Sequence, residues 1–563
     1  MSSLLSALSL FTLTLFIRPS TCASDSTVQV QLPSSVPSYN VIQDNFPGIS
    51  LEFNVLDHLI GPSPSNVAVP MVNYLKNLRS RMSSDFRLRI GGNSLDGSFY
   101  DPTATQMINF NLNSTANGIK NIPVTYGPQV LTTLKQLGSD VGGIYHLLDL
   151  SLVYPYNDTD VVKFAQAAQQ VLGSSLDSLL TGNEPDLYAE DFKRPANYSV
   201  FDYSAELNKV VGDLRQGSVS ASIGAPSLCC SHPDWGLADV LGATLNTGAA
   251  SNMKYASLQH YPQQACDSVG INRWNISYLT NHSAVQDLMN TFQADGVLMA
   301  KNAGKQVIMD EFNTASCGGQ VGRSDTFAAA MWTVDYELGM AANNYSAGYL
   351  HTREPGVAYD IFTYPNTTSV ANSGWQTGPQ YYSLLLLTEA LSTLDSSSTG
   401  SVVVDLDLPN PTVNWGYAIY DSSALNSAPR TLVLSNAGTS SMSFTIPSGL
   451  APSSTLSTVV RTMTAPSLTD KSSVTYAGQL VDGTGTIQGT HSQTTVNCQN
   501  GCSVQVPGPG VVLVVLQTQS GTTAVVPEVN NQPSSARKGL VLLPELFVTF
   551  VLSSLGLVAL SAI

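Results

Sequence analysis

A (β/α)8 TIM barrel with a C-terminal β-sandwich domain is the fold class this sequence predicts, and three observations carry it. Residues 50–385 alternate short apolar runs with segments whose apolar residues recur at three- and four-residue spacing. Their number and size, over about 330 residues, favour a closed eight-fold barrel over an open doubly wound sheet. After residue 390 the pattern changes to strands separated by Ser, Gly, Asn and Pro turns, which reads as a sandwich.

From the N-terminus, residues 1–23 read as a secretory signal, with an apolar run Leu4–Ile17 and a small-residue site at Thr21-Cys22-Ala23. Residues 24–49 hold the alternating run Val28–Leu32, which could add a strand to the β-domain. Strand-like runs then follow at Ile49–Val55, Phe86–Ile90, Val124–Tyr126, Gly143–Leu148, Ser178–Leu180, Ser222–Gly224, Tyr255–His260, Val307–Met309 and Ala347–Leu350. Helical patterns between them include Val161–Leu172, Tyr203–Arg215, Ala284–Ala303 and Asp325–Ala342. The sandwich, residues 390–520, takes strands such as Val402–Leu406, Trp415–Tyr420, Thr431–Ser435 and Cys502–Val506. Residues 521–538 read as a Ser/Pro-containing stalk and 539–563 as a hydrophobic tail. Its last 18 residues, Leu546–Ile563, carry no charge and follow Ser534-Ser535-Ala536 and the basic pair Arg537-Lys538. That order fits a GPI-attachment signal, with a plain membrane tail as the alternative.

Composition narrows the function classes. Of 563 residues, 43% are hydrophobic and only 11% charged, which excludes a disordered or coiled-coil protein. Lys and Arg number 24 against 40 Asp and Glu, a formal charge of −16 that argues against nucleic acid or any densely anionic polymer as partner. Seven Asn-x-Ser/Thr sequons, at Asn113, Asn157, Asn197, Asn275, Asn281, Asn344 and Asn366, agree with secretion as a glycoprotein. After removal of the signal six cysteines remain, an even count that suggests disulfides. Cys498 and Cys502 would close a small turn. Cys229, Cys230, Cys266 and Cys317 leave two non-vicinal pairings open, all near the ends of the fifth to seventh strands. No metal site or cofactor is expected: there is no CxxC pair with His at ligand spacing, no Walker loop, no GxSxG and no HExxH.

Two segments carry the chemistry. In Leu179-Leu180-Thr181-Gly182-Asn183-Glu184-Pro185-Asp186 a short apolar strand runs into an Asn-Glu pair, and Pro185 sets up a following helix. In Val307-Ile308-Met309-Asp310-Glu311-Phe312-Asn313 another apolar strand ends in a carboxylate. Glu184 and Glu311 lie 127 residues apart, about three strand–helix units of ~40 residues. That places them on strands four and seven, facing each other across the barrel mouth. Opposed carboxylates suit glycoside hydrolysis, one to protonate the leaving oxygen and one to attack the anomeric carbon.

These motifs resemble the clan A retaining glycosidases, and more narrowly glycoside hydrolase family 79, the family of β-glucuronidases and heparanase. Leu88-Arg89-Ile90-Gly91-Gly92-Asn93 resembles the family's second strand, and Ser50-Leu51-Glu52-Phe53-Asn54 its first, with a carboxylate facing the sugar. Tyr126-Gly127-Pro128 and His260-Tyr261 resemble its third- and sixth-strand ends. The resemblance spans about residues 30–520. It implies Glu184 as acid/base, Glu311 as nucleophile, Asn183 on the sugar's 2-hydroxyl and Tyr261 on the nucleophile. Arg89 would keep Glu311 ionised, while Glu184 needs a raised pKa. Glu52, Asn93 and Tyr126 join the substrate-binding set, with His260 in support. The uronate C6 carboxylate is expected at the amides of Gly318 and Gly319 in Thr314-Ala315-Ser316-Cys317-Gly318-Gly319. Where the family carries a helping tyrosine this sequence has Ser316.

The expectation is a secreted, surface-attached, retaining exo-acting β-glucuronidase that releases glucuronic acid or its 4-O-methyl form from glucuronic-acid-containing glycans. The −16 charge argues against a heparanase-like role. The short gap between the second strand and Asn121 leaves no room for an excised linker, so the chain should work uncut. Ser316 motivates the alternative of a clan A glycosidase for neutral sugars. A non-catalytic carbohydrate-binding surface protein is the alternative from another class.

Overall fold

The computed structural model describes residues 27–36, 40–110, 122–152, 158–230, 232, 234–365, 374–393, 399–448 and 458–516. The expected signal 1–23, stalk 521–538, tail 539–563 and the sequons Asn113, Asn157 and Asn366 lie outside the described residues. Among those described, no helix is long and apolar enough to cross a membrane.

The expected barrel is present. Eight parallel strands close on themselves: Pro47–Glu52, Phe86–Gly91, Ile144–Leu150, Leu176–Thr181, Ile223–Leu228, Met253–His260, Gln306–Phe312 and Tyr345–Thr352. The eighth pairs with the first from Gly348↔Pro47 to Thr352↔Leu51, which removes any free edge. These strands read as nearly unbroken apolar runs because helices cover one face and packed side chains fill the other. Leu147, Leu180, Tyr255, Ile308, Ala347 and Tyr349 form a separate buried cluster that fills the lumen. Side chains alternate along a strand. The same parity that turns Leu147 and Tyr255 inward therefore also brings Asp149, Gln259 and Tyr261 into the lumen, nearer the strands' C-terminal ends.

Two sequence expectations need correction here. Val124–Tyr126 is no barrel strand; it pairs with Phe99–Tyr100 and Ile108–Phe110 in a small sheet of its own. The run is three residues long and bounded by Pro123 and Gly127-Pro128, and the helix Gln129–Val141 starts at once. The third barrel strand can only come after that helix. The segment Ala284–Ala303 is two helices, His282–Thr291 and Ala294–Asn302, interrupted where Gln293 adopts φ 55°.

The β-domain is a sandwich. Its larger sheet orders Ser401–Asp405, Asn414–Asp421, Thr431–Asn436, Gly510–Val515, Thr458–Thr464 and Thr475–Tyr476. The smaller orders Thr27–Gln29, Met442–Ile446 and Cys502–Val506, with Thr27–Gln29 running parallel to its neighbour. Val28, Val402, Phe444, Val504 and Val512 pack between the sheets. The domain covers the helices Phe327–Ala342 and Gln380–Ala390, which explains why both are apolar nearly all round. Tyr417 donates to Asp335 Oδ1 at 2.7 Å across that contact, and the buried His282 bridges Asp335 (2.8 Å) and Asp405 (3.0 Å).

Candidate active site

Arg89, at the end of the second strand, organises the barrel mouth. Its Nε and Nη2 grip both oxygens of Asp149, Nη1 donates to Glu311 Oε2 at 2.5 Å and to Ser50 Oγ at 3.0 Å, and Nη2 donates to Asn183 Oδ1 at 2.9 Å. The guanidinium is fully buried, so these charge-assisted bonds act where water competes little. They require the backbone beyond Arg89 to lie close over two acids. Glycine makes that possible: a Cβ on Gly91 would fall 2.0 Å from Asp149 Oδ2, and one on Gly92 (φ +91°) 2.6 Å from Glu52 Oε1.

Glu311 sits at an irregularity in the seventh strand. Leu258 pairs with Met309 but Gln259 pairs with Glu311, leaving Asp310 as an extra residue, and both consecutive acids turn toward Arg89. Tyr261 donates to Glu311 Oε1 at 2.7 Å, and His351 Nε2 stands 3.8 Å from that oxygen. Burial pushes the Glu311 carboxyl up, but His351, Arg89 and the Tyr261 hydrogen bond outweigh it and hold the group below its ordinary value.

Glu184 lies opposite, just past the fourth strand. It adopts φ 51°, and its N–H donates to Ser227 O at 3.2 Å. Pro185 opens only a single 3-10 turn, Pro185–Leu187; the expected helix begins later, at Val200. The Glu184 carboxyl is pushed up to about 8, by burial first and then by the charges of Glu311 and Asp186, with Lys193 and a hydrogen bond to Asn93 opposing. Two facing acids are thus driven apart, one toward its proton and one away from it, the signature of divided acid and base roles.

Asn183 is locked between them: it donates to Asn93 Oδ1 at 3.0 Å and accepts from Arg89. Gln259 Nε2 lies 2.8 Å from Asn183 Oδ1 and, with its amide turned over, would donate to Glu184 Oε1 at 3.3 Å. Gln259, rather than His260, is the sixth strand's inward residue. His260 faces the other way, bonded to Tyr336 at 3.0 Å and packed on Phe292, and its burial lowers its pKa to about 3. Strand parity alone distinguishes the two.

Three further placements depart from expectation. Glu52, expected to face the sugar, is enclosed by protein groups. It is fully buried, accepting from the Ser94 N–H (2.9 Å) and hydroxyl (2.5 Å) and pairing with Arg353 at 3.3 Å and His351 at 3.4 Å. Tyr126 packs in an aromatic cluster with Phe53, Tyr100 and Phe164, as its small outer sheet dictates. The Gly319 N–H is spent on Ser316 O at 3.4 Å, closing its own turn. That leaves the Gly318 N–H, which has no acceptor among the described residues. The Gly318 carbonyl is pinned by Ala358 N–H at 2.7 Å.

The loop carrying Gly318 is built rigidly. Gln263–Gln264 and Ala315–Ser316 pair in a two-stranded rim sheet, and Cys266–Cys317 ties the same two loops. Since these two cysteines meet there, Cys229 and Cys230 bond to each other, correcting the expected non-vicinal pairing. Cys498–Cys502 is formed as anticipated. Tyr359 connects the loop to the carboxylates. A Cβ on Gly319 (φ +69°) would sit 3.0 Å from its ring, and its hydroxyl hydrogen-bonds to Tyr261, ring centroids 5.9 Å apart. Tyr359, Arg353, His351 and Asp149 are site residues that sequence reasoning missed. Asp149, Arg353 and His351 lie at or next to the C-terminal ends of the third and eighth strands, where barrel sites form. Tyr359 follows in a loop with no signal of its own.

Comparisons with known proteins agree with this fold. The Glycosyl hydrolase family 79 C-terminal beta domain matches residues 416–513. A Neurospora crassa protein named beta-glucuronidase is 24% identical over 437 residues, 71% of this chain and 74% of that one. An Aspergillus niger beta-glucuronidase is 23% identical over 54% of this chain and 58% of its own length. Among solved structures, a 4-O-α-L-rhamnosyl-β-D-glucuronidase from Fusarium oxysporum 12S superposes with TM-score 0.70 and 21% identity, covering 87% of this chain and all of that one. An α-L-arabinofuranosidase from Bifidobacterium longum (TM-score 0.57, 11% identity, 87% of this chain and 99% of that one) shares the fold.

Proposed function

From these similarities and the geometry of the site, we propose that the chain is a glycoside hydrolase of family 79, a retaining, exo-acting β-glucuronidase that frees glucuronic acid or its 4-O-methyl form from glycans. The observation that carries the reading is the pair of buried glutamates with opposite proton preferences, Glu184 pushed up to about 8 and Glu311 held down.

The chemistry follows from those states. Glu184 enters protonated and gives its proton to the glycosidic oxygen as the bond to the anomeric carbon breaks. The Glu311 carboxylate attacks that carbon from the opposite face and forms an ester. Once deprotonated, Glu184 takes a proton from water, whose oxygen displaces Glu311 and restores it as a carboxylate. Arg89 and Tyr261 hold the attacking oxygens in place. Asn183, held in a single orientation, meets the 2-hydroxyl, where hydrogen bonds strengthen in the transition state. The substrate's C6 carboxylate is assigned to the Gly318 N–H, while the Tyr359 hydroxyl donates to Tyr261 and keeps that phenol aimed at Glu311. Secretion, glycosylation and surface attachment through the C-terminal tail belong to the same proposal and rest on the sequence signals.

Purified protein assayed on aryl β-glucuronide, β-glucoside and β-galactoside tests it. At least a tenfold preference for the glucuronide is expected, about 1.4 kcal/mol of transition-state binding. Preference for a neutral sugar would overturn the uronate assignment, and no hydrolysis of any would favour a non-catalytic binding protein.

A further inference from the structure

Three buried carboxylates converge on the single charge of Arg89, and its donors do not suffice for all. All five guanidinium N–H groups are engaged: two with Asp149, one with Glu311, one with Ser50 and one with Asn183. None reaches Asp310, whose Oδ2 stands 3.7 Å from Nη2. Asp310 is fully buried. Its Oδ2 is bonded to the Ser227 hydroxyl at 3.0 Å, and its Oδ1 has no partner among the described residues. An ionised carboxylate there would be a buried charge with one orphaned oxygen, a costly arrangement. A neutral acid fits better. Its proton can go to Ser227 Oγ, whose own hydrogen can then turn to Ser257 Oγ at 3.1 Å.

We propose that Asp310 is a positioning residue that carries a proton in the active enzyme, so that Arg89 is shared by Asp149 and Glu311 alone and holds Glu311 in place for attack. The proposal rests on Glu311 acting as the nucleophile. The surrounding groups favour the neutral state. Asp149 on the third strand, itself pushed up to about 6 by burial, and Glu311 beside it are its acidic neighbours, Tyr203 from the helix Val200–Gln216 faces it as a phenol, and Arg89 is the cation that opposes them. Burial leads, and with Asp149 and Glu311 it raises Asp310 to about 7 against Arg89 and the Ser227 hydrogen bond. When Asp310 ionises it competes with Glu311 for the guanidinium, draws Arg89 aside and slows attack. The irregularity that turns both acids inward thus supplies a second proton-dependent group beside the nucleophile.

Two readings test this on the full-length protein, with wild type and Asp310→Asn. In carbon-13 spectra of protein labelled at aspartate carboxyls, the resonance that Asp310→Asn removes should belong to a neutral acid at pH 5–6, about two units above the ordinary aspartate value. A resonance already ionised there overturns the proposal, whatever sugar the enzyme prefers. In kcat/KM profiles on any aryl glycoside that the wild type cleaves, the ratio of Asp310→Asn to wild type should climb at least about threefold between pH 6 and pH 8, because the variant cannot ionise. A pH-independent ratio would mean a structural role only, and a uniform loss of about a hundredfold or more would mean that the anion is required. Should the Asn variant not fold, Asp310→Ser keeps a hydroxyl opposite Ser227 and serves for both readings. Absence of glucuronide hydrolysis by the wild type would count against the proposed substrate and leave the carbon-13 reading intact.

Discussion

Removing one oxygen, in Tyr261→Phe, should move the acid limb of the pH profile upward. The Tyr261 hydroxyl donates to Glu311 Oε1 at 2.7 Å and stabilises the ionised nucleophile. A hydrogen bond to a charged partner contributes about 1.5–3 kcal/mol, equivalent to about one to two pKa units at 1.36 kcal/mol each. Arg89 and His351 remain beside the carboxylate in the variant, so the lower end, about one unit, is expected. The sign is fixed by the chemistry. Glu311 must be ionised to attack, and losing a donor to its anionic form raises its pKa, so activity is lost at a higher pH as acid is added. The alkaline limb, set by Glu184, should stay within about 0.3 unit because Tyr261 makes no bond to it. The assay is kcat/KM against pH on an aryl glucuronide, with the fold verified by circular dichroism. An acid limb that stays put or moves down would refute the assignment of Tyr261 as the donor that keeps Glu311 ionised.

Two other perturbations probe the scaffold. Replacing Cys266 and Cys317 together by serine opens a cross-link between residues 51 apart in sequence; a loss of up to about 4 kcal/mol is expected in chemical denaturation, with KM rising more than kcat falls as the Gly318 loop loosens. Glu337 is fully buried on the helix Phe327–Ala342, neither carboxyl oxygen has a hydrogen-bond partner among the described residues, and burial holds its pKa well above the ordinary value. The folded protein therefore keeps a proton that the unfolded chain releases, and stability falls as pH rises above the unfolded value. Glu337→Met should add about 1–3 kcal/mol at neutral pH and less near pH 4 in thermal melts; a loss of stability would show that this carboxyl is satisfied.

The barrel and the facing of Glu184 and Glu311 were legible because strand–helix spacing and apolar runs are local signals that count units along the chain. The Arg89–Glu311 contact was reached through the family resemblance and not through a local signal, because the second and seventh strands do not pair and the two side chains meet only across the barrel. What escaped depended on side-chain direction or on the meeting of distant loops. Residue type suggested His260, while two-residue parity turns Gln259 inward and His260 toward Tyr336. Glu52 has the residue type of a sugar ligand, but Ser94 and Arg353 enclose it. Tyr126 was misplaced because a three-residue apolar run flanked by prolines does not reveal which sheet it joins. The vicinal Cys229–Cys230 pair emerged only once the rim sheet had brought Cys266 and Cys317 together.

The division of roles between the two glutamates is tested most directly by azide rescue of Glu184→Ala. An activated aryl glucuronide needs little protonation, so Glu311 should still form the glycosyl ester, and slow hydrolysis should let it accumulate. Azide needs no general base and can enter the space left by the missing carboxylate. It should restore turnover and give the β-glucuronyl azide, because it displaces Glu311 from the face that Glu311 did not use. The anomeric configuration of that product, read by proton NMR, is the decisive measurement. A β-azide is the predicted result; an α-azide would exchange the roles of Glu184 and Glu311, and a variant with undiminished activity would remove Glu184 from the reaction.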